Sequence, residues 1–394
     1  MEEINLSPDL IRFVNEHEQD DVHSLALKSK KYPDIDMELA IRQISGRKIA
    51  KSKIPSWYSS DHIIYSKSLS MEQSSSEQTA RYKAALCEGT SMADLTGGLG
   101  VDFSFLSTGF KEAVYVELQP ELAAIARHNF EVLGLNNATV VNSNGTDYLT
   151  DMQPVSMIYI DPARRDDTGK KTVLISDCTP DILAIEDLLD EKADMVMIKL
   201  SPMLDISLAV RSMRNISDVH IISVNNEVKE LLFIKRKTAD KTLYHCINIA
   251  GNNTDSYTFS REGEETAIVN YASQPDKYLY EPNTSILKAG AYKSIAAEYS
   301  FRKLHPSSHL YTSDELRTDF QGRRFEIEHI CSLSKQDIKE YLSKIGQANI
   351  TTRNFPLSVQ EIRKKTKLKE GGDIYIFATT LSDDRKVLIV CRKA

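Results

Sequence analysis

Residues 92–106 read MADLTGGLGVDFSFL and place a strand end, a glycine-rich turn and a helix start in one short window. This arrangement lets the backbone approach a ligand at the carboxyl end of a parallel sheet. A dinucleotide-binding GxGxxG pattern that starts at Gly98 fails, because Phe103 stands where the third glycine is required. The alternative spacing acid-x-G-x-G-x-G fits, with threonine in the place of the first glycine, at Asp94, Thr96, Gly98 and Gly100.

Short apolar runs alternate with helical stretches on both sides of this turn. From residue 91 to about residue 272 the runs are SMADL, AVYVEL, ATVVN, VSMIYID, DMVMIKL and VHIISV. Strands separated by helices need crossover connections, so this region predicts a parallel sheet with helices on both faces. The later runs TLYHCINIA and SYTFSRE are divided by the turn-forming GNNTD and predict closing antiparallel strands.

The flanking regions have a different character. Residues 1–88 show helical periodicity without alternating strand runs, which predicts a helical N-terminal domain. The stretch NYASQPDKYLYEPN is rich in Asn, Pro and Asp and is the clearest domain boundary. Beyond it, helices are predicted at about 285–298, 334–344 and 358–367, and DIYIFATTL and KVLIVCRKA predict a terminal hairpin. The last third is therefore a mixed α+β region, with two small units that meet near residue 325.

Composition excludes several classes of protein. No apolar run approaches the roughly 18 residues that a membrane span needs. The N-terminal sequence MEEINLSPDLIRF is acidic and has no apolar segment of the signal-peptide kind, which predicts a cytoplasmic protein without membrane contact. The 5 cysteines form no CxxC pair and the 9 histidines no HExxH group, so no metal site is expected.

Charge is distributed unevenly along the chain. Residues 277–394 hold 21 Lys and Arg against 14 Asp and Glu, a balance of +7, which leaves −14 for residues 1–276 because the whole chain carries −7. A basic C-terminal part indicates contact with a polyanion, although a solvated basic surface would give the same count.

Along the chain the glycine turn is followed by an acid at the end of the second strand, a polar segment after the third strand and Asp-Pro after the fourth. In this order of elements the region from residue 91 resembles the class I S-adenosylmethionine-dependent methyltransferases. The resemblance implies a Rossmann-like α/β fold with a mostly parallel seven-stranded sheet, and S-adenosyl-L-methionine as the cofactor. Glu117 in VYVELQPE would hold the two ribose hydroxyls, since a carboxylate accepts two hydrogen bonds from a diol. The glycine turn would shape the methionine end. In VVNSNGTDYL the residues expected to border the adenine are Asn144, Gly145 and Asp147.

The fourth strand ends in MIYIDPARRDDTGKK, residues 157–171. In such enzymes this strand end lies beside the transferable methyl group, so Asp161 and Pro162 would face the acceptor as catalytic residues. Methylases of exocyclic amino groups carry Asn/Asp-Pro-Pro-Tyr/Phe here, and this chain keeps the acceptor and the first proline but has Ala163 and Arg164 next.

The sequence DPAR also resembles the DPPR of methylases that act on carbon 5 of uridine. Those enzymes need a cysteine nucleophile in a Ser-Cys-Asn-Pro motif, and the matching stretch IISVNNEVKELL has Val224 between Ser223 and Asn225. Valine cannot add to a pyrimidine, so the sequence favours direct transfer to nitrogen or oxygen over covalent chemistry.

Basic side chains follow the catalytic aspartate at Arg164, Arg165, Lys170 and Lys171. Cations around the methyl group would bind phosphates on either side of a target base, which predicts RNA binding. A solvent-exposed basic loop is the alternative.

Further upstream, SSSEQTARYK resembles the TPE-x-IA helix that precedes the glycine turn in cap-type guanine N2 methyltransferases. Its serines and Glu77 would then lie near the cofactor carboxylate or form a lid, whereas a capping box from Ser74 explains the same residues.

The complete chain resembles a bacterial group of predicted RNA methyltransferases with ferredoxin-like and THUMP-like domains after the catalytic domain. EPNTSILKAGAYKSIA and NFPLSVQEIRKKTKLKEGGDIYIFATT carry this resemblance. It implies a helical N-terminal domain at residues 1–88, a methyltransferase domain at 89–274, a ferredoxin-like domain at 278–325 and a THUMP-like domain at 326–394. THUMP domains bind structured RNA, so the expected phosphate contacts in RKKTKLK are Arg363, Lys364, Lys365, Lys367 and Lys369.

We therefore predict a methyltransferase that modifies a base in transfer or ribosomal RNA by direct transfer of the methyl group to a nitrogen. Two alternatives remain open at this point. A small-molecule or protein methyltransferase would need no basic appendage, and a catalytically silent RNA-binding protein could keep the fold while its catalytic loop has changed.

Overall fold

The computed structural model describes residues 6–164 and 175–394. They form two compact units, the described part of Met1–Val219 with Glu230–Asp240, and His220–Lys229 with Lys241–Ala394. Arg165, Lys170 and Lys171, predicted to bind RNA, lie outside the described residues. Among the helices that the structure describes, none is both long enough and apolar enough to cross a membrane.

The helices have the following bounds. They are α1 (Pro8–Glu16), α2 (Val22–Leu27), α3 (Met37–Lys53), α4 (Pro55–Tyr58), α5 (Ser68–Gln73), α6 (Glu77–Ala84), α7 (Val101–Leu106), α8 (Pro120–Val132), α9 (Gly145–Asp151), α10 (Glu186–Lys192), α11 (Ile206–Ser212), α12 (Arg261–Thr266), α13 (Thr284–Ala289), α14 (Ser294–Glu298), α15 (Lys335–Asp337) and α16 (Val359–Thr366).

The strands have the following bounds. They are β1 (Gly89–Asp94), β2 (Phe110–Glu117), β3 (Ala138–Asn142), β4 (Val155–Ile160), β5 (Ala163–Arg164), β6 (Cys178–Thr179), β7 (Ala193–Leu200), β8 (Ile216–Val224), β9 (Glu227–Arg236), β10 (Leu243–Ala250), β11 (Asn253–Ser260), β12 (Asn270–Tyr271), β13 (Tyr278–Pro282), β14 (Arg302–Lys303), β15 (Tyr311–Ser313), β16 (Gly322–Cys331), β17 (Asn349–Arg353), β18 (Tyr375–Thr380) and β19 (Lys386–Lys393).

The N-terminal part of the first unit is helical, as predicted. Ser7, Asp21 and Asp36 each cap a helix by accepting a hydrogen bond from a backbone N–H in the first turn, which satisfies donors that the helix itself leaves free. Apolar side chains of α1 and α3 form one cluster, and a second cluster around Trp57 includes Val101 at the start of α7. The second cluster ties the helical segment to the helix that follows the glycine turn.

Within the first unit the strands lie in the order β9, β7, β4, β1, β2, β3. All neighbours are parallel except β9, which runs antiparallel to β7. Strands β4 and β7 are nearly continuous apolar runs and are almost wholly buried, as expected for a parallel sheet covered on its faces. The α/β fold is therefore confirmed for this region.

Strand register brings the predicted site residues to one edge of that sheet. Asp94 is paired with Tyr115 on β2 and with Tyr159 on β4, while Ile160 is paired with Ile198 on β7. Because the strands are parallel, the carboxyl ends of β1, β2, β4 and β7 meet there.

The second unit contains the predicted antiparallel pairs. Strands β10 and β11 form one hairpin and β18 and β19 another, so both sequence predictions are confirmed. The single helix expected at about 285–298 is instead two helices, because Gly290 adopts a left-handed conformation with φ of 78° and ends α13.

One eight-stranded sheet spans most of this unit, in the order β12, β14, β15, β13, β16, β19, β18, β17. Strand β16 pairs with β13 on one side and with β19 on the other. The boundary expected between residues 325 and 326 lies inside β16, so it does not correspond to a break in the sheet.

Candidate active site

The turn after β1 needs glycine for two separate reasons. Gly98 and Gly100 have φ of 60° and 75°, a left-handed conformation that side chains disfavour. At Gly100 a Cβ would also lie 2.7 Å from the Phe130 ring, whereas at Gly98 it would meet only the Thr96 carbonyl oxygen, at 3.7 Å. Gly98 therefore faces open space, where the backbone of the turn is accessible to a ligand.

Thr96 connects the turn to the end of β4. Its N–H and its hydroxyl donate to Asp94 Oδ1 at 2.9 and 3.4 Å, and its Oγ1 accepts from the N–H of Asp161 at 2.7 Å. A glycine at this position could not make the contact with Asp161. The threonine that departs from the usual glycine spacing thus joins two predicted parts of the site.

Asp94 is almost fully buried at the end of β1. Burial raises the pKa of its carboxyl group to about 8, and the negative charges of Asp102 and Asp161 act in the same direction, against the opposing hydrogen bond from Thr96. The Asp94 carboxyl group is therefore largely protonated near neutral pH.

Glu117, at the end of β2, is held in a fixed orientation by the backbone. Oε2 accepts from the N–H of Gly98 and Oε1 from the N–H of Gln119, both at 2.7 Å. Each carboxylate oxygen has a second lone pair, so the group can still accept hydrogen bonds from a diol. The next residue, Leu118, has 65 % of its surface exposed, which leaves an apolar side chain beside the carboxylate.

The element after β3 also reaches this turn. A Cβ at Gly145 would lie 2.1 Å from the Leu95 carbonyl oxygen, so only glycine allows α9 to begin this close to the turn. Asn144 caps α9 by accepting from the N–H of Thr146 at 2.8 Å, and Asp147 is exposed in the first turn. The use of Asn144 as a helix cap was not predicted.

Asp161 and Pro162 follow β4 directly, and Asp161 Oδ2 lies 2.5 Å from Lys199 Nζ at the end of β7. The Asp161 side chain is 42 % exposed, whereas Pro162 is buried. The backbone of β5 then pairs with β6, so that Arg164 lies opposite the buried Cys178.

A buried cluster of charged and hydroxyl-bearing side chains continues inward from Lys199. We call these residues the ion network; its members are Ser75, Lys83, Asp102, Tyr159, Lys199 and Glu230. Burial alone would raise the pKa of Asp102, but Lys199 and Lys83 outweigh it and hold that pKa below its usual range. Conversely, burial lowers the pKa of Lys199, and Asp102, Asp161 and Glu230 raise it above its usual range. Both groups therefore remain charged at neutral pH.

The segment before α6 contributes to this network in an unexpected way. Ser76 rather than Ser74 caps α6, and Glu77 accepts from the N–H of Ser56, so the predicted capping box is wrong. Ser75, between these two serines, donates from its hydroxyl to Asp102 Oδ2 at 2.7 Å. The predicted capping box fails because α6 begins two residues later than the spacing from Ser74 suggested.

The predicted phosphate-binding residues of the last third divide into two groups. Lys364, Lys365 and Lys367 are exposed at and just beyond the end of α16. Arg363 instead donates to the carbonyl oxygens of Leu368 and Ala348, at 3.2 and 3.1 Å. Its guanidinium group is therefore held against the backbone, whereas the three lysine side chains are exposed to solvent.

The structure thus brings the predicted turn, Glu117, the start of α9 and Asp161 together at one sheet edge. The ion network was missed, although Lys199 interrupts the apolar run DMVMIKL and Asp102 lies only two residues after Gly100. A charged residue inside an otherwise apolar strand was the signal that could have revealed Lys199, because such a charge needs a buried partner.

Family models match two parts of the chain. A THUMP domain-like family matches residues 322–393, and a ferredoxin-like domain family matches residues 278–320.

Relatives and a solved structure match far more of it. A putative methyltransferase from Porphyromonas gingivalis W83, known from its crystal structure, is 34 % identical, with a TM-score of 0.89 over 98 % of each chain. Two proteins from strains of Mycobacterium tuberculosis, each named an uncharacterized S-adenosylmethionine-dependent methyltransferase, are 21 % identical over 79 % of this chain and 83 % of their own.

Proposed function

Because the chain belongs to the family of S-adenosylmethionine-dependent methyltransferases that carry C-terminal ferredoxin-like and THUMP-like domains, we propose that it methylates a nitrogen of a base in transfer or ribosomal RNA. The predictions of enzyme class and cofactor are confirmed by these similarities. The contact of Asp161 with the glycine turn through Thr96 is the observation that supports the proposed site most directly.

The described residues fit the cofactor. Gly98 borders open space, the Glu117 carboxylate is fixed 2.7 Å from the Gly98 N–H, and the exposed Leu118 follows it. We assign the ribose hydroxyls to Glu117 and the methionine end to the turn that contains Asp94, Thr96, Gly98 and Gly100. The adenine is assigned to the segment with Asn144, Gly145 and Asp147.

S-adenosylmethionine supplies a methyl group bound to a sulfonium, which an acceptor lone pair displaces in line. Asp161 would accept a hydrogen bond from the acceptor N–H and orient its lone pair, and the N–H proton would leave to this carboxylate or to water. Transfer is direct in this proposal, because Val224 stands where a carbon-5 methylase needs its cysteine.

RNA as the substrate is supported by the THUMP domain-like match and by the positive balance of residues 277–394. Exposed lysines at the end of α16 offer charges for phosphate groups. Arg164, Arg165, Lys170 and Lys171 remain proposed phosphate contacts beside the catalytic loop.

Nucleoside mass spectrometry of transfer and ribosomal RNA from a strain without this protein and from its parent tests the proposal. One methylated nucleoside should be missing from the deficient RNA and should return when purified protein and S-adenosylmethionine are added. Asp161→Ala should not restore it, while Asp187→Ala, a change at an exposed aspartate that pairs with Arg214, should.

Identical RNA pools, with nothing restored in vitro, would contradict the RNA substrate. Labelled methyl groups found in a metabolite or protein fraction would then identify a small-molecule or protein methyltransferase. Tight RNA binding without any methylated product would identify a silent binding protein.

A further inference from the structure

Lys199 uses all three hydrogen-bond donors of its ammonium group. Nζ lies 2.5 Å from Asp161 Oδ2, 3.2 Å from Asp102 Oδ2 and 3.0 Å from Ser75 Oγ. An ammonium group has three N–H bonds, and each of these oxygens can take one. The position of the ammonium group is therefore fixed from three directions.

The groups behind Lys199 are fixed in the same way. Lys83 Nζ lies 2.9 Å from Asp102 Oδ1, 2.8 Å from Glu230 Oε1 and 3.0 Å from Ser75 Oγ, and its side chain has no exposed surface. Ser75 accepts from both lysines and donates to Asp102, which also accepts from the hydroxyl of Tyr159 at 2.6 Å. These groups support one another's orientation.

The solvent exposure of the side chains in the ion network increases from Lys83 toward Asp161. Side chains of Lys83, Glu230, Asp102 and Lys199 are 0, 7, 9 and 12 % exposed, whereas Asp161 is 42 % exposed. Asp161 is thus the contact of Lys199 that reaches the accessible edge of the sheet.

Stability alone is a weak explanation for such an arrangement. Taking charges out of water is costly, and apolar residues of similar volume often stabilise a core as well as a buried ion pair does. A network that ends at the carboxylate beside the cofactor-binding turn is better explained by the geometry that it imposes on that carboxylate.

We propose that Lys199 is a positioning residue for methyl transfer, holding the Asp161 carboxylate toward the acceptor, and that Ser75, Asp102 and Lys83 hold Lys199 in turn. This inference rests on the proposed function, in which Asp161 faces the acceptor. Lys199 itself forms and breaks no covalent bond. A small misplacement of a positioned group lowers the rate far more than it lowers binding.

The test compares Lys199→Met with Lys235→Met. Lys235 is also a buried lysine on a strand of the same sheet region, paired with Glu186 and Asp190, but it makes no described contact with Asp161. Lys199→Met should lower kcat by about 10- to 100-fold, with KM for RNA and Kd for S-adenosylmethionine changed by less than about 3-fold. Lys235→Met should lose thermal stability to a similar degree and keep its kcat per folded molecule.

Chemical rescue adds a second measurement. Lys199→Cys treated with 2-bromoethylamine regains an ammonium group on a side chain of nearly the same length, and its kcat should recover. Wild-type protein treated in the same way controls for reaction at the half-buried Cys87. A kcat for Lys199→Met within 2-fold of wild type, or equal losses in both methionine variants, would overturn the proposal.

Crystal structures of wild type and Lys199→Met with S-adenosylhomocysteine separate this inference from the proposed function. If no RNA is methylated, the proposed function fails, and the orientation of Asp161 decides the inference alone. An unchanged Asp161 carboxylate in the variant would overturn it, and a rotated or dispersed one would support it.

Discussion

Lys199 Nζ and Asp161 Oδ2 lie 2.5 Å apart, one residue beyond the paired Ile198 and Ile160 of strands β7 and β4. The strand register thus sets a cation beside the proposed catalytic carboxylate.

Replacing Glu117 with Gln should weaken cofactor binding by at least about 10-fold. Two backbone N–H groups now donate hydrogen bonds to the carboxylate, and in the variant one of them would face the amide NH₂ group instead of an oxygen. Titration calorimetry with S-adenosylmethionine measures the change. Glu121→Gln alters an exposed glutamate only four residues later, which pairs with Arg42, and should bind the cofactor normally. Equal affinities for wild type and Glu117→Gln would remove Glu117 from the site.

Gly98→Ala and Gly134→Ala separate backbone strain from ligand contact. Both glycines have positive φ, of 60° and 71°, and an added Cβ meets only the Thr96 carbonyl at Gly98 and nothing within 4 Å at Gly134. Each change should lower the free energy of unfolding by about 1 kcal/mol. We expect only Gly98→Ala to lose cofactor affinity, which calorimetry together with thermal unfolding would establish; a parallel loss in Gly134→Ala would attribute the effect to strain.

Thr96→Val should uncouple the glycine turn from the catalytic loop. It removes the oxygen that accepts from the Asp161 N–H and leaves that donor without its partner, at a cost of about 1–3 kcal/mol. Methyl transfer should fall along with stability, while Thr96→Ser, which keeps the oxygen, should retain most of both. Denaturant unfolding and initial rates provide the measurements, and identical behaviour of the two variants would show that the hydroxyl is dispensable.

Asp94 should make the stability of the protein depend on pH. Its pKa is about 8 in the folded state against an ordinary value of 3.8, so between these values the folded protein holds a proton that the unfolded chain has released. The contribution is therefore lost as pH rises through this window, by at most about 1.4 kcal/mol per pH unit. Thermal unfolding of Asp94→Asn between pH 5 and pH 9, about one unit past the folded pKa, should show a flatter pH dependence than wild type. Parallel curves would show that Asp94 does not titrate in this range.

Substituting Lys364, Lys365 and Lys367 together with Ala should weaken RNA binding and reduce the slope of log affinity against log salt by about 2 to 3. Substituting Lys28, Lys30 and Lys31 removes the same charge from exposed positions of the first unit and should change neither quantity. Filter binding at several salt concentrations measures both. Arg363→Ala should act mainly on stability, because its guanidinium donates to two backbone carbonyls.

The sequence was most informative where the proposed site residues lie close together along the chain. The spacing of Asp94, Thr96, Gly98 and Gly100 and the acid at Glu117 predicted a site that the structure assembles at one sheet edge. Apolar runs divided by turn-forming residues likewise predicted the two antiparallel hairpins, since both signals are local in the chain. What remained hidden depends on contacts between distant parts of the chain.

Ser75 and Lys199 illustrate this limit, since they hydrogen-bond across 124 positions. Their proximity follows from strand order and register, which no local pattern specifies. Arg363 shows a different limit. A run of basic residues reveals charge but not direction, and only the fold shows that one member of RKKTKLK points toward carbonyl groups while its neighbours are exposed.

Strand β16 begins where the residues matched by the ferredoxin-like and THUMP-like families adjoin, and it hydrogen-bonds to β13 of the first and β19 of the second. Cutting the chain at residue 325 would leave each fragment with half a strand and an open sheet edge, a template for aggregation. The two parts should therefore unfold as one cooperative element, and a destabilising change in either should lower the stability of the other.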